Sequence, residues 1–318
     1  MNLQTHLPLV PQEPQIDYGS KLVLLGSCFT ENIGGKLDYF QFRNCQNPFG
    51  VIFNPVSLSN LVVRAVKNDF FTEEDVFEQQ GLWHCFEVHS TLSQLQKEAL
   101  LKQLNELLKA VKKDLSEASH IILTLGSAWV YRFKETQNMV ANCHKVPQNQ
   151  FSKELLSVEE IRNSLARLIS EIQAINPKGT VIFTVSPVRH LKDGFVENNR
   201  SKAHLISALH ELLANHPQYY YFPSYELMMD ELRDYRFYAT DLLHPNELAI
   251  DYLWEKFLAV WVSHTTEGLR KEIDSIQKRL QHKPHHPESE AHLAFQKKLQ
   301  ESIESVKQQL PFISLKIN

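Results

Sequence analysis

Apolar residues gather in four short uninterrupted runs, each closed by a small or turn-forming residue. They are Leu22-Val23-Leu24-Leu25 before Gly26-Ser27, Ile121-Ile122-Leu123-Thr124-Leu125 before Gly126-Ser127, Val181-Ile182-Phe183-Thr184-Val185 before Ser186-Pro187, and Tyr219-Tyr220-Tyr221-Phe222 before Pro223-Ser224. Runs of this length without polar alternation predict strands covered on both faces, as in a parallel sheet. Between them the apolar positions recur at helical spacing. Residues 93–115 set Leu95, Leu100, Leu104, Leu107 and Leu108 against Lys and Glu. Residues 157–175 open with Ser157 three positions before Glu160, a capping-box pattern, and stop before Asn176-Pro177. Residues 201–214 and 246–262 repeat the periodicity. Strand and helix alternate, so the pattern predicts βαβ units in a three-layer α/β/α fold on a parallel sheet.

Two stretches interrupt the alternation. Residues 42–92 hold a turn-rich segment (Asn47-Pro48-Phe49-Gly50, Asn54-Pro55), a short helix and the aromatic and histidine-rich block 83–90. Residues 130–151 read as a hairpin or long loop after the second strand. Insertions in these places commonly carry specificity in α/β enzymes. Near Thr265 the character changes. Leu269, Ile273, Ile276 and Leu280 make a heptad-like stripe, residues 282–288 break it, and residues 290–310 resume an amphipathic helix. We expect one α/β domain over 1–264 and a helical extension over 265–318, a hairpin that packs on the domain or serves self-association.

Composition narrows the partners. The 318 residues are 43% hydrophobic and 22% charged, with a net charge of -4 and no long basic run. That argues against nucleic acid and against an electrostatic membrane surface. The first twenty residues lack the basic start and apolar stretch of a secretory signal, and no run of 18 apolar residues occurs. The four cysteines, Cys28, Cys45, Cys85 and Cys143, show no zinc-type spacing. We therefore expect cytoplasmic residence, free thiols, no metal or cofactor, and a small or neutral molecule as partner.

The chemistry is sought just past the strand ends, where doubly wound sheets bind ligands. After the first run, Gly26 allows a tight turn and Ser27 stands at the mouth of a predicted helix, exposed, with helix-start N–H groups nearby. Taken alone, Ser27 reads more readily as a helix cap than as a nucleophile. Before the last long helix, Asp241-Leu242-Leu243-His244-Pro245 can bring a carboxylate to an imidazole Nδ1–H within one turn, with Pro245 in the first helical turn. Taken alone, this pair also reads as a cap.

Together, the Gly-Ser junction after the first strand and the Asp-x-x-His-Pro before the last helix resemble the SGNH hydrolase layout. The chain further resembles the GSCFA family through Gly26-Ser27-Cys28-Phe29-Thr30, with Thr30 where the family name has alanine. Segments 47–55, 83–90, 124–131, 141–147, 186–190 and 241–246 are similar to the same family, and the likeness runs from about residue 17 to about residue 262. It implies an SGNH-type, flavodoxin-like sheet. It also implies Ser27 as nucleophile, His244 as general base and Asp241 as the residue orienting it. Oxyanion donors would be the Ser27 and Gly50 backbone N–H groups. The wider superfamily adds an asparagine where this chain has Ala128, and losing such a donor costs about 2.7–4 kcal/mol in a protease. The Ser127 hydroxyl and the Asn54 amide are candidates to replace it.

The implied activity is serine ester hydrolysis through an acyl-enzyme, on O-acyl (O-acetyl) groups of carbohydrates. Transfer of the acyl group to a sugar hydroxyl, or carbohydrate binding without catalysis, would use the same residues. Cys28 is a rival nucleophile, although a neighbour of an outward Ser27 should face the core. His84, His89, Trp129, His144 and His190 are candidate substrate contacts. None has metal-ligand spacing. The tyrosines 219–221 fit strand core or sugar stacking alike, and the tail histidines His282, His285 and His286 are expected in solvent.

Overall fold

A computed structural model describes residues 4–282, 284–286 and 288–316. Lys283 and Pro287 of the expected break in the tail, and residues 1–3 and 317–318, lie outside the described residues. The chain runs β1 (Lys21–Gly26), α1 (Phe29–Tyr39), β2 (Arg43–Gln46), α2 (Pro55–Lys67), a hairpin of β3 (Phe77–Gln79) and β4 (Leu82–His84), α3 (Lys97–Glu117) and β5 (His120–Leu125). An inserted antiparallel sheet follows, of β6 (Trp129–Phe133), β7 (Met139–Val140) and β8 (Phe151–Leu155). Then come α4 (Val158–Ile175), β9 (Thr180–Val185), α5 (Phe195–Ala214), β10 (Tyr220–Tyr221), a single turn α6 (Ser224–Glu226), α7 (Glu247–Trp261), α8 (Glu267–Leu280) and α9 (Glu290–Gln309).

The five-stranded sheet is parallel throughout, in the order β2-β1-β5-β9-β10. That is the flavodoxin-like order, and it reverses direction between β1 and β5. Alternate residues of each strand point to opposite faces, and the sheet separates two cores accordingly. Val23, Leu25, Ile121, Leu123, Val181 and Phe183 pack under α2, α3, α4 and α5. Leu22, Leu24, Ile122 and Ile182 pack under α1, α7, α8 and α9. The three layers expected from the alternation are present, and the C-terminal helices share the second core with β1.

Local rules explain most boundaries. At α4 the Ser157 side chain accepts from the Glu160 N–H, while the Ser157 N–H donates to Glu160 Oε2 at 2.8 Å, a complete capping box. The third helix begins at Lys97, later than the leucine pattern indicates. Gln94 pairs with Trp83 as an isolated bridge, which holds the chain extended and leaves Leu95 77% exposed. Pro245 lies outside the first turn of α7. Asn246 caps that helix by accepting from Ala249 N, and Pro245 pairs with Tyr238 instead. The tyrosine run contributes only two strand residues, and Tyr219 and Phe222 flank them as buried core.

Candidate active site

Three loops meet at the carboxyl end of the sheet beside the β1–β5 switch point. Gly26 has φ +136°, a region that disfavours side chains, and a Cβ there would sit 2.1 Å from Thr124 O. That glycine turns the chain so that Ser27 N–H donates to Thr124 O at 3.0 Å. The turn over 47–53 is stitched on both sides. Asn47 Oδ1 accepts from Gly26 N, Ile52 N donates to Gly26 O, and Phe53 O accepts from Gly126 N and Ser127 N at 2.8 and 2.9 Å. Ser27 thus sits against Gly126, where a Cβ would come within 2.9 Å of Ser27 Cβ and 3.1 Å of Phe53 Cδ1.

This packing changes the picture of Ser27. The residue is 0% exposed, contrary to the exposure expected at a strand-to-helix mouth, because the 47–53 turn and Gly126 close over it. Among the described residues its Oγ has no hydrogen-bond partner, His244 included. Cys28, beside it, is half-buried at the start of α1. Burial pushes its thiol up, and the Lys202 ammonium pulls the other way.

The Asp241–His244 pair forms in one tight turn with Leu242 at φ +61°. Asp241 Oδ1 accepts from the backbone N–H of Leu243 (2.9 Å) and of His244 (3.0 Å), and Oδ2 meets His244 Nδ1 at 2.6 Å. Those two backbone donors, and then the imidazole, hold the Asp241 carboxyl down to about 2. Hydrogen bonding to the ionised form is the cause. The pair caps no helix. Its arrangement leaves Nε2 as the free nitrogen of a half-exposed ring.

Four candidate oxyanion donors are each engaged within the protein. Besides Ser27 N–H, the Gly50 N–H donates to Asn47 O at 2.7 Å. Asn54 caps α2, accepting from Ser57 N and donating Nδ2 to Ser57 Oγ. The Ser127 hydroxyl lies 3.2 Å from Ser201 Oγ and accepts from Trp129 N. Ala128 is buried, with its N–H on Ser201 Oγ.

The candidate substrate contacts divide. His190 stacks edge-on against Phe53 at 5.0 Å, and its Nε2 is buried without a partner among the described residues. Burial, then the charges of Lys202 and His244, hold its imidazole down to about 4, so it is neutral. His89 packs against Gly50. Trp129 donates Nε1 to Glu197 O, with the Lys153 ammonium 4.7 Å over its ring. His84 and His144 instead pack on each other at 4.7 Å under the β3–β4 hairpin. Their nitrogens meet Ser93 Oγ, Gln79 O and Cys85 O. Burial first holds His144 down to about 4.

Lys202 was not foreseen. It is 1% exposed, and its Nζ donates to Gly126 O and Ser186 O, both at 2.7 Å. It therefore staples the residues just past β5 and β9 to α5. Burial is the main cause that pulls its ammonium down to about 7. The signal was present in sequence, since Asn198, Ser201 and Lys202 lie on the stripe that Leu205, Ala208, Leu209 and Leu212 continue. A lysine on the apolar face of a helix needs buried acceptors.

A family model described as the GSCFA family matches residues 21–257, and one described as GSCFA domain protein, C-terminal domain, matches residues 273–316. No curated protein matches the sequence. Among solved structures, the psychrotrophic esterase EstA from Pseudoalteromonas sp., in a form inhibited by monoethylphosphonate, aligns with 75% of this chain and 94% of its own. The two are 13% identical, with a TM-score of 0.32. No described helix is long and apolar enough to cross a membrane, and no described group of three or more His, Cys, Asp or Glu side chains is placed to hold a metal ion.

Proposed function

The chain belongs to the GSCFA family, and from that premise we propose that it is a serine ester hydrolase working through an acyl-enzyme. The observation that carries the reading is the Asp241–His244 contact at 2.6 Å. A carboxylate fixed by two backbone donors fixes the imidazole tautomer in turn, and leaves Nε2 able to take a proton. Ser27 Oγ attacks the ester carbonyl and passes its proton to His244 Nε2. Collapse of the tetrahedral species expels the alcohol, which recovers that proton, and water activated by the same imidazole then releases the acid. Ser27 is buried and unbonded, so catalysis requires the turn over 241–244 to bring the imidazole into hydrogen-bond reach. An oxyanion donor is also needed, and the second Nδ2 hydrogen of Asn54 is the candidate that breaks no existing bond. Within this reading we assign the substrate to O-acyl groups, O-acetyl on carbohydrates among them, and the protein to the cytoplasm, where its four free thiols stay reduced.

Labelling with a serine-directed fluorophosphonate, mapped by mass spectrometry, tests the proposal. Label should land on Ser27 and vanish in Ser27→Ala. Ser27→Ala and His244→Ala should each lower ester turnover by at least about a thousandfold. Label on Cys28 would make the thiol the nucleophile. Wild type labelling no faster than Ser27→Ala would support the second reading, a ligand-binding module. The engaged donors and Ala128 favour that one.

A further inference from the structure

The segment that carries His190 also carries an arginine whose charge the protein leaves unanswered. Arg189 is half-buried and faces a cavity of about 290 Å³, walled by Met228, Met229, Tyr235, Tyr238 and Leu242. The other charged groups at the cavity are paired. Arg233 meets Asp230 at 3.0 Å, and Asp234 meets Arg236 at 3.1 Å. Arg189 forms no ion pair among the described residues. Its neighbours are Met229 Sδ, 3.1 Å from Nη2, and the Tyr238 phenol. A thioether is a weak acceptor, while a guanidinium presents five N–H donors in a planar fork suited to a carboxylate or phosphate. A half-buried guanidinium keeps part of its hydration, and an anion entering the cavity would find N–H donors that no protein carboxylate occupies.

The cavity adjoins the candidate site on two sides. Leu242 sits within the Asp241–His244 turn and stays 53% exposed. Arg189 directly precedes His190, whose ring lies on Phe53, and Phe53 and Ser27 both border Gly126. A volume near 300 Å³ is at the lower end for small-molecule pockets, enough for one end of a substrate.

We propose that this cavity is the subsite for an anionic group on the substrate, a carboxylate or a phosphate, with Arg189 as its counter-ion. Met228, Met229, Tyr235, Tyr238 and Leu242 would cover the carbon skeleton that joins the anion to the ester. The inference rests on the ester-hydrolase reading for the identity of the reacting bond, but not for the binding of the anion.

Binding and turnover separate the two. Succinate, inorganic phosphate and neutral succinamide are titrated calorimetrically into Ser27→Ala protein with Arg189 intact, replaced by methionine, or replaced by lysine. The expected result is binding of succinate or phosphate, whichever source is the right one, weakened about tenfold to a hundredfold by Arg189→Met. Arg189→Lys should recover part of it, and succinamide should bind poorly throughout. In the Ser27-containing enzyme, kcat/KM for an aryl hemisuccinate ester should fall by a similar factor in Arg189→Met, while that for the matching neutral aryl butyrate stays within about threefold. Anion binding that is absent, or indifferent to Arg189→Met, overturns the subsite whether or not esters are hydrolysed. Anion binding lost in Arg189→Met, with no ester turned over by wild type, keeps the subsite and removes the hydrolase reading.

Discussion

Replacing Lys202 by methionine probes the polar corner behind Ser27 most directly. Methionine retains much of the buried aliphatic volume, so the loss is confined to the ammonium. Gly126 O and Ser186 O each lose a donor at 2.7 Å. Leaving a buried carbonyl unpaired costs about 1–3 kcal/mol, so the pair amounts to about 2–6 kcal/mol on the same basis. The substitution also removes a buried charge. Burial pulls the Lys202 ammonium from 10.5 down to about 7. From about 7 upward, therefore, the unfolded chain holds a proton that the native protein has released. Native stability then rises with pH, by up to about 1.4 kcal/mol per unit, until the lysine of the unfolded chain itself titrates. Below that range both states carry the proton and the full penalty persists. The thiols of Cys45 and Cys85, pushed up to about 12 by burial, act in the opposite sense once unfolded thiols ionise. They act equally in both proteins, so the comparison removes them. Urea unfolding of wild type and Lys202→Met at pH 6.5 and 8.5 should show wild type gaining about 1–2 kcal/mol on the variant across the interval. A difference that does not change with pH would refute deprotonation of Lys202. A variant as stable as wild type at pH 8.5 would refute the staple itself.

Two further substitutions follow from the geometry. Gly126→Ala places a methyl 2.9 Å from Ser27 Cβ and 3.1 Å from Phe53. It should destabilise by about 1–3 kcal/mol and slow phosphonate labelling of Ser27 more than tenfold, and unchanged labelling would show that Ser27 is not held by that contact. Ser157→Ala removes the hydroxyl half of the α4 capping box and should cost about 1 kcal/mol in thermal unfolding with ester turnover unchanged. A change in turnover would show that α4 reaches the site.

The sheet was legible wherever strands are buried on both faces. The apolar runs that became β1, β5 and β9 need no pairing partner to be recognised, because burial alone selects them. The edge strand β2 escaped notice, since Arg43-Asn44-Cys45-Gln46 is polar and its side chains are at most half-buried. Its pairing depends on β1 supplying a template. The inserted sheet was half read. The stretch 130–151 reads as a hairpin or long loop, and the β6–β7 pairing falls within that reading, but β8 joins β6 across an intervening loop. At the site, Asp241 and His244 were readable because their contact spans three residues. The burial of Ser27 was not, because the residues that close over it come from the 47–53 turn and from Gly126. For Lys202 the helix stripe marks a buried lysine, but its acceptors could not be read, since Gly126 O and Ser186 O lie in the loops after β5 and β9.

The second core has a consequence for truncation. Leu299, Ile303, Val306, Leu310, Ile313 and Leu315 share the layer that holds Leu22 and Leu24 of the strand leading to Ser27. Cutting the chain after α7 would leave α1 and α7 on that face of the sheet and strip the apolar side chains of α8 and α9 from it. Bared apolar surface of that kind drives aggregation, so the tail helices act as a sheath that the α/β domain cannot shed without cost.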